Sequence, residues 1–90
     1  MKTFVCSLCH KGLLGGALYL DGHSLTYRTN KLTVDETYRN LVMPLQQIKA
    51  ISWKRRLFPF ATVTMENAQS DTFLIFNRAR FEKWFEEYRR

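Results

Sequence analysis

Cysteine, proline and glycine are scarce in this chain: two, two and four among its 90 residues. No apolar run approaches the ~20 residues needed to cross a bilayer. Two cysteines cannot make a disulfide-dense scaffold, and there is no repeat or low-complexity stretch. Residues 1–9 carry one Lys and only a few apolar residues, too short for a signal-peptide core. We therefore expect cytoplasmic residence, peripheral to the inner face of a membrane if membrane-associated at all. Catalytic patterns are missing too. No carboxylate pair clusters and no Ser/His/Asp arrangement follows a recognisable motif. The glycine-rich Gly12-Leu13-Leu14-Gly15-Gly16 lacks the Lys and the following helix of a phosphate cradle. An enzyme is not expected.

What the chain does contain is apolar and basic. Hydrophobic residues make up 46% and aromatic residues 14%, which argues for a folded domain over 1–90 with one core. Fourteen basic residues against eight acidic ones leave a net charge of +6. Half of that charge sits in Lys54, Arg55 and Arg56. Such a balance attracts acidic lipid, nucleic acid or an acidic protein.

Alternation organises most of the chain into strands. Residues 2–10 alternate Phe4, Cys6 and Leu8 with Val5, Ser7 and Cys9. Residues 11–16 read as a loop. Residues 17–28 read as a hairpin turning at Asp21-Gly22, the dipeptide best suited to positive φ. That turn would set Leu20 against His23, Leu18 against Leu25 and Gly16 against Tyr27, with Leu18, Leu20, Leu25 and Tyr27 in the core. Residues 30–37 form a polar connection, and residues 38–43 a strand stopped by Pro44. Residues 48–54 form the next strand, residues 55–59 a loop, and Ala61, Val63 and Met65 the inner face of another strand. After a turn at 67–71, residues 72–76 are apolar on both faces and read as a strand covered on both sides. The period then changes. Phe81, Trp84, Phe85 and Tyr88 fall on one face of a helix, with Asn77 placed to cap it.

The stretches Gly16-Ala17-Leu18-Tyr19-Leu20, Leu25-Thr26-Tyr27 and Val42-Met43-Pro44-Leu45-Gln46-Gln47-Ile48 resemble the successive motifs of the GRAM domain. Phe58-Pro59 sits where many members carry a proline before the next strand. The resemblance runs from about Phe4 to Tyr88. It implies a mainly β fold: a PH-like barrel of about seven antiparallel strands in two packed sheets, capped by a C-terminal amphipathic helix. It also implies a non-enzymatic lipid- or protein-binding module. The family often has an Arg after the hairpin turn; Ser24 stands there, so no role of that Arg carries over.

Two segments are candidates for chemistry. Cys6-Ser7-Leu8-Cys9-His10 has the C-x-x-C-H spacing of haem attachment and of half a zinc site. In a strand, however, residues three apart face opposite ways, and only His10 and His23 could complete a metal site. No metal or cofactor is expected; Cys6 reads as a core residue and Cys9 as a face or edge residue. The segment Lys54-Arg55-Arg56-Leu57-Phe58-Pro59-Phe60 joins cations to large apolar groups between two strands. One reading is an anionic-lipid contact through Lys54, Arg55, Arg56, Leu57 and Phe58; the other turns Phe58 and Phe60 inward and leaves the cations solvated. Their exposure decides. The alternative function is protein interaction or homodimerisation through a sheet edge. Nucleic-acid binding is not expected, because most aromatics fall on buried faces.

Overall fold

Phe4, Cys6 and Leu8 are buried while Val5 between them is 68% exposed, the alternation of a strand with one wet face. This first strand, β1 (Lys2–Cys9), is followed by β2 (Leu13–Leu20), β3 (Ser24–Arg28), the one-turn helix α1 (Glu36–Arg39) and β4 (Asn40–Pro44). A 3-10 turn at Leu45–Gln47 leads to β5 (Ile48–Arg55), β6 (Pro59–Met65), β7 (Ser70–Ile75) and the helix α2 (Arg78–Arg89). The computed structural model describes residues 1–9, 12–30, 36–55 and 58–89, and of Arg55 the backbone alone.

The strands form one antiparallel ladder in the order β4-β3-β2-β1-β7-β6-β5. One sheet stands where two packed sheets were expected, because β1 pairs with both β2 and β7. That strand pairs with β2 from Lys2↔Leu20 to Cys9↔Leu13, but with β7 only from Cys6 to Cys9. Its first half therefore leaves β7, and α2 fills the opening: Phe81 meets Phe4 edge to face at 5.1 Å. The sheet also curls. Tyr27 on β3 and Phe73 on β7 are three ladder steps apart, about 14 Å in a flat sheet. Their ring centroids lie only 5.5 Å apart. All seven strands and α2 contribute to one buried cluster. The result is the architecture the resemblance implies, a seven-stranded antiparallel barrel-like sheet with a C-terminal helix.

Several boundaries differ from expectation. The β2–β3 hairpin pairs Leu20 with Leu25 and Leu18 with Tyr27, two positions from the expected register. The shift is even, so the same residues stay inside. Its cause is Asp21, whose carboxylate accepts the amides of His23 (2.8 Å) and Ser24 (2.9 Å). Asp21 thus takes the first position of the turn, Gly22-His23 its centre, and neither Asp21 nor Gly22 has positive φ. Residues 13–16 belong to β2 rather than to a loop, because Gly16 is there for fit. A Cβ on it would lie 2.5 Å from the Arg28 carbonyl oxygen. Tyr38 and Arg39 close α1 instead of opening a strand, and Ser70 and Asp71 join β7. Phe73, Leu74 and Ile75 are buried as expected, but Phe76 is 56% exposed.

The helix caps as expected: Asn77 Oδ1 accepts the Arg80 amide at 3.2 Å. Phe81 and Phe85 are buried, whereas Trp84 and Tyr88 pack on the core only in part.

Candidate interaction surface

The outer face of the sheet is where the sequence-chosen segment meets residues from elsewhere in the chain. Lys54 pairs with Phe60, Phe60 with Leu74, and Leu74 with Ser7, so these four side chains share one row of the outer face. Lys54 is exposed and Phe60 half-buried. Leu74 is buried at 4% although it points away from the core, so its outer-face neighbours shield it. The β6–β7 register continued by two residues sets Phe58 across from Phe76. The β1–β7 pairing ends at Cys6↔Ile75, one residue short of Val5 and Phe76. Phe58, Phe76 and Val5 are each more than half exposed. Val5 belongs to the second row of the outer face, and Phe58 and Phe76 lie just past the ends of β6 and β7.

That second row continues through Ala17 to Arg28, which is exposed. Cationic residues therefore stand at both ends of the outer face: Arg28 at one, Lys54 at the other. Arg55 is placed by its backbone pairing with Pro59. Arg56 and Leu57 lie outside the described residues. Sequence reasoning had selected Lys54, Arg55, Arg56, Leu57 and Phe58 but missed Val5, Phe76 and Arg28. The register that aligns them runs between strands distant in the chain, and only the apolar character of Phe76 after a strand hinted at it.

The cysteines stand apart from this surface in their chemistry. Cys6 points into the core, where burial pushes its thiol up to about 12. Cys9 faces the other side and is half-exposed. Its thiol is also raised by burial, an effect opposed by a backbone hydrogen bond from Leu74. The two sulfurs thus fall on opposite faces, as strand parity requires. His10, the third member of the motif, lies outside the described residues. Among those described, no group of three or more His, Cys, Asp or Glu is placed to hold a metal ion. No helix among them is long and apolar enough to cross a membrane.

No protein-family model matches the chain. No curated protein matches it either. Among solved structures it is similar to the C-terminal domain of an unknown protein from Leishmania infantum. The TM-score is 0.81 at 14% identity, over 99% of this chain and 82% of that one. At that identity the likeness concerns the fold.

Proposed function

We propose that this chain is a GRAM-like, non-enzymatic module that docks on anionic lipid surfaces through the outer-face ridge. The observation that carries this reading is the exposure of Val5, Phe76 and Phe58 with the exposed cations Arg28 and Lys54 on the outer face. An apolar ridge with cations at its margins matches a bilayer interface, where rings enter the acyl boundary and cations meet head groups. Magnitudes make the contact weak and reversible. Two inserted Phe rings contribute about 1–2 kcal/mol each. Two cations at ~1 kcal/mol each bring the sum to about 5 kcal/mol. That lies between millimolar and micromolar dissociation constants.

Vesicle sedimentation tests the reading. Vesicles containing phosphatidylserine should pull down the protein at low salt, while neutral phosphatidylcholine vesicles should not. Phe58→Ser with Phe76→Ser should remove binding and leave the melting temperature nearly unchanged, since both side chains are exposed. Charge reversal at Lys54, Arg55 and Arg56 should remove it too. An absence of binding to acidic vesicles at low salt sinks the proposal.

A further inference from the structure

The first half of β1 leaves β7, and α2 brings cations to the rim of that opening. Arg80 Nη1 donates to the Thr3 carbonyl at 2.9 Å, and the same guanidinium lies 4.6 Å from the Phe4 ring centroid. One turn on, two ammonium groups gather at Trp84. Lys2 Nζ is 4.1 Å and Lys83 Nζ 5.4 Å from its ring centroid. Among the described residues the one ion pair joins Arg78 to Glu82, so no carboxylate neutralises Lys2, Arg80 or Lys83. Trp84 itself is half-buried and tilted against Tyr88. On its other side α2 borders a groove along β5, walled by Glu82 and Glu86. The helix thus turns two carboxylates to one side, and Arg80 and Lys83 to the other.

We infer that this rim binds single-stranded nucleic acid, with Lys2, Arg80 and Lys83 on its phosphates and a base stacked on Trp84. Helical period alone places Trp84 on the core-facing stripe, which argues against stacking. Its half-burial among three cations instead joins aromatic to charge, as such binding requires. Lys2 does not close the site. A cation over an exposed ring is held more weakly than a stacked base, and the displaced ammonium stays within reach of a phosphate. A membrane fits this face poorly. Exposed Glu87 lies one turn beyond Lys83, and a flat anionic surface laid on the helix would press it against head groups. A flexible strand can follow the run from Arg80 to Trp84 and leave that carboxylate in water. A duplex keeps its base faces stacked on one another, so it offers this rim phosphates alone. Stacking accepts every base, so the preference is for single strands and not for a sequence. The site is independent of vesicle docking through the outer face.

The probe is a labelled oligothymidylate of about eight nucleotides, a length within the usual site sizes, titrated at low salt by fluorescence anisotropy. Saturable binding is expected, with log K falling against log salt at a slope near about −2, as roughly three neutralised phosphates give. Lys2→Glu with Lys83→Glu should weaken it at least about tenfold and flatten that slope, with the melting temperature nearly unchanged. Trp84→Leu keeps an apolar group against the core. It should weaken the oligonucleotide about fivefold or more and leave binding of an inorganic polyphosphate of equal charge unaltered. In a Trp53→Phe background Trp84 is the one tryptophan of the chain, and oligothymidylate should quench its emission. Phe58→Ser with Phe76→Ser should leave this binding intact while removing vesicle binding, so the two proposals fail separately. No binding at millimolar oligonucleotide overturns the inference. So does an unchanged affinity in the charge-reversed variant, or an affinity for polyphosphate equal to that for oligothymidylate. A Trp84 emission that responds to phosphatidylserine vesicles and not to the oligonucleotide assigns the rim to a membrane and overturns it too.

Discussion

Gly16 and Cys6 show how much a single side chain decides inside this small core. Gly16 lies under Tyr27, whose hydroxyl donates to the Leu14 carbonyl at 2.7 Å. An added Cβ would meet both the Tyr27 ring at 2.9 Å and the Arg28 carbonyl, which is backbone and cannot swing aside. Gly16→Ala should therefore destabilise the fold by about 2–3 kcal/mol, measured by urea unfolding. Cys6 links stability to pH. Its thiol rises from an ordinary 9.0 to about 12 because burial penalises the thiolate. Below pH 9 both folded and unfolded chains hold the proton, and the favourable burial is fully present. As pH rises from 9 to 12, the unfolded chain releases a proton that the folded chain keeps, so stability falls across that window. Cys6→Ala should lower stability at neutral pH through its cavity and also flatten that alkaline decline, as read by unfolding curves at several pH values. Alternation predicts the burial of Cys6, and the expected hairpin sets Gly16 against Tyr27; their diagonal approach follows from the shifted register that pairs Leu18 with Tyr27.

Among the elements, α2 has the plainest division of labour. Phe81 contacts Phe4, Trp53 and Phe85 at once, with centroids 5.1–5.9 Å away. Trp84 packs with Tyr88 at 6.0 Å, and Lys2 Nζ sits 4.1 Å from its ring centroid at the rim. Helical period groups Phe81, Trp84, Phe85 and Tyr88 on one face, but it does not say which part of that face reaches the core. Phe81→Ala should cost about 3–5 kcal/mol and Trp84→Ala about 1–2 kcal/mol, compared by chemical denaturation. Equal losses would contradict the depth difference between the two rings. The β2–β3 hairpin teaches the same point about turns. Asp21 and Gly22 correctly mark the turn, yet two amides bonded to one carboxylate move its centre by one residue.

For the whole molecule, the ladder order sets the two candidate surfaces. It closes β1 against β7 from Cys6 to Cys9, with Val5, Phe76 and Phe58 just beyond the paired residues, and it leaves β5 at the end of the ladder beside α2. The outer-face ridge predicts a salt signature. Vesicle binding should weaken steeply as ionic strength rises, because exposed cations are screened beyond about 8–10 Å. A smaller part, attributable to Phe58 and Phe76, should persist. Binding that is indifferent to salt would remove the cations from the reading.

Strand alternation and the 3.6-residue period of the C-terminal aromatics were enough to specify a seven-stranded fold with a C-terminal helix. They also separate Cys6 from Cys9, since both depend on periods the backbone imposes locally. The cationic segment at 54–56 is equally a property of the chain alone. Which apolar residues stand next to it is not. Val5, Phe58 and Phe76 are brought to one side of the sheet only through the β1–β7 and β6–β7 registers, and the groove beside β5 exists only because α2 packs along that edge. Contacts between residues far apart in sequence follow from how the sheet curls around its core, and no local pattern records that curl.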